Sequence, residues 1–223
     1  MSELLKLAEK VSKYCVGMEG NISSKTHTSS GDFLTIKASG SKLSNLTNED
    51  LVDFNFNGTQ LSNHNKKGSM ELSFHMFLLG FDEINYVSHT HPTNALQLLC
   101  TNYGHKFSTK RLFPDQVVFN GKKSCFVPYA KPGIELTEKI KKYVNLFIEK
   151  EGYFPKLILL ANHGIITCGK TVDECIISTD ICEKSAEIFV GCSKLGKTIF
   201  LGDSEIDELV NDDNEKYRQE LVK

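Results

Sequence analysis

The chain has no surplus of either charge, no long apolar run and no paired-cysteine motif. Lys and Arg number 26 against 28 Asp and Glu, which argues against nucleic acid as a partner, since that would call for a basic face. No apolar stretch approaches the ~18 residues of a membrane span. Met1-Ser2-Glu3-Leu4-Leu5-Lys6 has an early acid and no long apolar core, so it does not read as a secretory signal. Seven cysteines is an odd number and no Cys-x-x-Cys occurs, so reduced thiols in a cytoplasmic protein are expected.

Present instead are 223 residues of 40% hydrophobic composition, enough for one core and one domain over residues 1–223. Residues 3–17 read as an amphipathic helix behind a Ser2 cap, and Gly20-Asn21-Ile22-Ser23 as the break after it. Residues 33–38 read as a strand, and 47–50 as a capped short helix or turn. Residues 51–61 read as a hairpin, with Asn57-Gly58 as a type I′ turn. Further along come a helix over 70–79 capped by Ser69, a strand over 86–91 and a helix opened by Pro92. Residues 101–133 look loop-rich, with short strands at 116–119 and 124–127. A helix from about 136 to 151, strands at 156–161 and 165–168, and a long helix behind the capping box Thr171-Val172-Asp173-Glu174 complete the pattern. Residues 203–223 form a charged terminal helix or tail. Cys168, Cys175 and Cys182 recur every seven residues, more in keeping with a buried stripe than with a metal site. The mixture of elements indicates an α/β fold of three layers, α/β/α.

The chemistry concentrates in a few segments. His89-Thr90-His91 on a strand places both imidazoles on one face. By itself an His-x-His is as readily an ordinary half-buried strand, and His163 before Gly164 as readily a turn residue. Together they make a three-nitrogen site that leaves a coordination position open, the arrangement of a catalytic zinc. Glu71 at a helix start either complements the helix dipole or serves as a general acid and base beside the metal. His75, one turn on, reads as structural, because three histidines already fill the metal site. Gly20-Asn21 and Ser39-Gly40 are turn pairs able to offer N–H groups to an anion, though ordinary turns explain them equally well.

These segments together resemble the class II aldolase/adducin family from about Leu5 to Val190. The motifs carrying the resemblance are Gly20-Asn21-Ile22-Ser23, Ala38-Ser39-Gly40, Ser69-x-Glu71, His89-x-His91, Val127-Pro128-Tyr129 and Asn162-His163-Gly164. Lys37-Ala38-Ser39-Gly40, Pro114-Asp115-x-Val117-Val118 and Pro128-Tyr129-x-x-Pro132-Gly133 resemble the aldolase half of fused aldolase/short-chain dehydrogenases. The resemblance implies a central, mainly antiparallel sheet and Zn2+ or another divalent metal on His89, His91 and His163. It further implies Glu71 as the catalytic carboxylate, and Asn21, Ser39, Gly40 and Ser69 around a substrate phosphate. A homotetramer with sites between subunits, acting on a small sugar phosphate, is implied as well.

The expected reaction is aldol cleavage of a ketose 1-phosphate to dihydroxyacetone phosphate and an aldehyde. A sugar-phosphate 4-epimerase or a dehydratase would use the same metal site. A non-enzymatic, adducin-like scaffold would have no reason to keep Glu71 with all three histidines. Two positions depart from the family pattern. Met70 stands where phosphate-binding members have a second serine, with Lys37 near enough to compensate by charge. No tyrosine stands near Phe113 to Asp115, where the aldolases draw a proton-donating tyrosine from a neighbouring subunit. That leaves Asp115, Tyr217 or water for the role.

Overall fold

The computed structural model describes residues 2–29, 31–62 and 65–221. A seven-stranded sheet runs through it, built from β1 (Asn21–Thr26), β2 (Phe33–Lys37), β3 (Leu51–Asn55), β4 (Tyr86–Thr90), β5 (Cys125–Val127), β6 (Leu157–Leu160) and β7 (Gly164–Gly169). Their spatial order is β3-β2-β1-β4-β7-β6-β5. Every neighbouring pair is antiparallel except β5 with β6, so the sheet is mainly antiparallel, as expected. Alternation along the strands sends side chains to two cores. Val87 and Ile166 join Leu34, Ile36, Phe74 and Ile140 beneath α2 (Leu72–Leu79) and α6 (Ile134–Glu151). Ile22 and Ile165 point the other way, toward α1 (Glu3–Val11), α3 (Thr93–Leu99) and α7 (Val172–Leu195). The result is the three-layer α/β/α arrangement.

Local chemistry explains where most elements begin. Ser2 accepts the N–H of Leu5 at the start of α1, and the Thr171–Glu174 capping box opens α7 as its sequence indicates. Cys168, Cys175 and Cys182 are all buried, and burial pushes their thiols up. Among the described residues, no helix is long and apolar enough to cross a membrane.

Several expectations need correction. α1 stops at Val11 and tightens into a 3-10 turn over Ser12–Tyr14. The apolar side chains beyond it, Val16 and Met18, are exposed, so nothing holds a longer helix against the core. Gly20-Asn21-Ile22-Ser23 is not a break but the entry to β1, because Ile22 is fully buried and Asn21 and Ser23 find polar partners inside. Gln116–Phe119 lies in α5 (Pro114–Asn120), with Pro114 at a first-turn position and Asp115 beside the helix start; a four-residue apolar run carries too little period to separate helix from strand. Residues taken as loop form α4 (Tyr103–Thr109).

Asn57-Gly58 is not a type I′ turn, which needs positive φ at both residues; only Gly58 has it, and the returning arm makes a single bridge, Phe54 to Gln60. α2 begins at Leu72, so Glu71 occupies its N-cap position and Ser69 lies outside the helix. Pro92 likewise is the N-cap of α3 rather than its first residue. The charged tail is two helices, α8 (Asp203–Asn211) and α9 (Asp213–Glu220), joined where Asp212 caps the second. Buried Ile206 and an ion pair from Arg218 to Asp115 at 2.9 Å hold the tail on the domain.

Candidate active site

β4 is the middle strand of the sheet, and its histidine lies between two neighbours: His89 is in register with Asn21 of β1 and with Ile166 of β7. His91 follows the strand end, where its N–H donates to the carbonyl of Tyr14 at 3.2 Å. His163 comes from the turn joining β6 to β7. Asn162 adopts a left-handed conformation there, with φ of 56°, and His163 N–H bonds back to Leu160 O at 3.2 Å. Asparagine tolerates this region better than most residues.

The three rings meet edge to face, with centroids 4.8 to 5.4 Å apart, and one nitrogen from each lies within 4.8 Å of the others. Backbone packs directly against them. A Cβ on Gly164 would fall 2.5 Å from Thr90 O and 2.6 Å from His91 Cδ2. Gly164→Ala should therefore cost about 1–3 kcal/mol, the usual range for overpacking. Thermal unfolding would record this as a melting point several degrees lower.

The donor set suits a divalent cation. His89 Nδ1 donates to Ile165 O at 2.9 Å, which leaves its Nε2 a bare lone pair. That nitrogen stands 3.1 Å from Nε2 of His91, whose Nδ1 lies 3.5 Å from the Glu19 carboxylate. His163 Nδ1 is buried without a partner among the described residues. Burial, reinforced by His91, lowers the His89 pKa to about 3; burial and His89 lower that of His163 to about 4, against the pull of Glu71. Both are therefore neutral at pH 7, as metal ligation requires. A backbone or carboxylate partner behind the ligating ring is the usual second layer of such sites.

Glu71 closes the cluster from the α2 side. Its Oε2 is 3.6 Å from His89 Nε2, and its Oε1 is 3.7 Å from His163 Nε2. Asn21 and Ser69 converge on Glu71. Ser69 N–H donates to Lys37 O and Ser39 N–H to Lys67 O, which brings the Ser39-Gly40 turn beside Ser69. Ser69 Oγ accepts from Glu71 N–H at 3.2 Å and from Asn21 Nδ2 at 3.3 Å. Asn21 Nδ2 also donates to Glu71 Oε2 at 2.6 Å. Asn21, Ser69, Glu71, His89, His91 and His163 thus form one connected cluster, with the Ser39-Gly40 turn attached through the neighbouring backbone.

The Lys37 ammonium is buried and donates to Ser41 O and Met18 O at 2.7 and 3.4 Å, so it ties two loops together from behind. Asp115 pairs with Arg218, and Tyr217 is exposed on α9.

Sequence reasoning missed Glu183, whose carboxylate accepts the N–H groups of Asn94 and Ala95 at 3.0 Å each and so anchors α3 directly behind His91. No local signal announces it: Pro92 at the N-cap gives α3 no side-chain acceptor of its own, and the acceptor comes from far along the chain.

A sequence model described as the class II aldolase and adducin N-terminal domain matches residues 3–190. The chain belongs to this family. Among other members, an L-fuculose phosphate aldolase of Methanococcus maripaludis is 29% identical over 192 residues, covering 84% of this chain and 94% of that protein. A 3-oxo-tetronate 4-phosphate decarboxylase of Pectobacterium atrosepticum is 28% identical over 216 residues, covering 95% and 89%. The solved structure of an L-fuculose 1-phosphate aldolase superposes with a TM-score of 0.77 at 21% identity, over 97% of this chain and 94% of that one. The class II aldolase fold is thereby established for the sheet and helices described above.

Proposed function

We propose that this class II aldolase family member is a zinc-dependent aldehyde-lyase that cleaves a ketose 1-phosphate to dihydroxyacetone phosphate and an aldehyde. It would work in the cytoplasm as one catalytic domain per chain, with the terminal helices packed on it, in a homotetramer with sites between subunits. The observation that carries this reading is the Glu71 carboxylate, within 3.7 Å of two imidazoles of a three-histidine cluster. A divalent cation held by His89, His91 and His163 supplies Lewis acidity for the negative charge that develops when the carbon–carbon bond breaks.

The chain's own residues do the rest. Ser39, Gly40 and Ser69, with Asn21 behind them, hold the phosphate at a set distance from the cluster. Ser69 Oγ has both lone pairs filled by N–H groups, so its hydroxyl hydrogen remains to donate to an anion. Bond cleavage leaves carbon 3 of the dihydroxyacetone portion in need of a proton; the Glu71 carboxylate takes one up from solvent and passes it to that carbon, returning to its ionised form. The proton of the carbon-4 hydroxyl passes to Asp115 or Tyr217 of a neighbouring subunit, or to water.

Metal-replete protein incubated with a panel of ketose 1-phosphates should release dihydroxyacetone phosphate, read by coupled reduction. Inorganic phosphate should compete with the substrate, and Ser39→Ala should raise KM more than it lowers kcat, the mark of lost uniform binding. Equal turnover of phosphorylated and free ketoses, untouched by phosphate, would assign the pocket to another group. A second reading, decarboxylation of a 3-oxo acid phosphate, is favoured by the decarboxylase relative that spans 95% of this chain. It also fits the lack of a tyrosine near Asp115, since loss of carbon dioxide leaves no hydroxyl to deprotonate. Carbon dioxide release without any aldehyde product would select it.

A further inference from the structure

His75 has no part in the proposed chemistry, yet it is fully buried and stacked on Phe74 at 4.6 Å. A leucine or phenylalanine would fill such a place at lower cost, because a buried imidazole needs partners for both nitrogens. Both have them. Ser23 Oγ lies 2.6 Å from Nδ1, and Nε2 is hydrogen-bonded to Asn21 Oδ1. Asn21 in turn reaches Glu71. The four side chains form one buried line from β1 through α2 to the edge of the histidine cluster.

The direction of that line follows from what each group can donate. An ionised carboxylate only accepts, so Asn21 must turn its NH2 toward Glu71. Its Oδ1 then faces His75, so His75 carries its proton on Nε2. The remaining Nδ1 lone pair takes the hydroxyl hydrogen of Ser23. Without the imidazole, Asn21 could rotate by half a turn and set Oδ1 against Glu71, oxygen to oxygen. The same NH2 group also reaches Ser69 Oγ at 3.3 Å, so one amide orientation governs both the carboxylate and the anion-facing hydroxyl.

We infer that His75 is a positioning residue, which fixes the Glu71 carboxylate and the Ser69 hydroxyl through the side-chain amide of Asn21. The inference rests on the reading of Glu71 as the proton carrier. It assigns Asn21 to orienting Glu71, so its loss falls on kcat rather than on KM alone.

The test combines kinetics with a spectroscopic readout. In His75→Leu, kcat should fall about tenfold or more, since small misplacements of reacting groups are costly, while bound metal stays at the wild-type level. His75→Gln, which offers an N–H where Nε2 stood, should recover most of that loss. Because His75 acts through Asn21, adding His75→Leu to Asn21→Ala should cost nothing further. Full additivity of the two, or wild-type kcat in His75→Leu, would overturn the relay. Glu71→Gln run alongside separates the two claims: a slow Glu71→Gln beside a normal His75→Leu sinks the relay alone, and a normal Glu71→Gln sinks the reading beneath it. Should His75→Leu fail to fold, nitrogen-15 shifts of the wild-type imidazole decide. A neutral ring protonated on Nε2 is expected, and protonation on Nδ1 or on both nitrogens would overturn the assignment.

Discussion

Protein carrying His89→Ala should leave purification with its metal gone and turnover at background. His89 is nearly inaccessible, and its Nδ1 is already spent on Ile165 O, so its Nε2 is aimed at one place and has no substitute. The two remaining imidazoles come from a strand end and a turn, and a pair of nitrogens is a poor site for a tetrahedral ion. The fold should survive, because the strand bonds of β4 to β1 and β7 are made by backbone. Elemental analysis beside a circular-dichroism spectrum reads both halves of the result. Full metal occupancy in a His89→Ala, His91→Ala double variant would refute the ligand assignment.

Glu71→Gln separates proton transfer from architecture. The amide keeps the shape of the side chain and can still accept from Asn21, while losing the ability to take up and return a proton. Fold and metal content should match the wild type, and turnover should drop by ~10²-fold or more, the range seen for general acid–base groups. Steady-state kinetics at saturating metal measures it. An unchanged kcat would move the proton transfer to another residue.

Much of this site was legible in sequence because its signals are local. His89-x-His91 declares itself through the two-residue period of a strand, and Thr171 with Glu174 announces α7 through a capping box whose two bonds both form. What the sequence hid depends on partners far along the chain. Asn21 and Ser23 look like turn residues until Glu71 and His75 arrive beside them to satisfy their polar groups. Glu183 looks like a surface acid of a long helix until α3 presents two unpaired N–H groups to it. Gln116–Phe119 was misread for another reason: local pattern is weakest in short apolar runs, and the proline before this one was the better guide. Strand order stayed out of reach because β4 pairs with β1 and β7 rather than with its neighbours in sequence.

The central place of β4 also sets a hierarchy of motion. Amide protons of Ser88 to Thr90 sit in the sheet's interior and should exchange with solvent only when the whole domain opens, whereas the Ser39-Gly40 turn, exposed and tied by few bonds, should exchange through small local openings. Any group held by that turn would then come and go by local breathing, on a faster clock than the strand that carries His89.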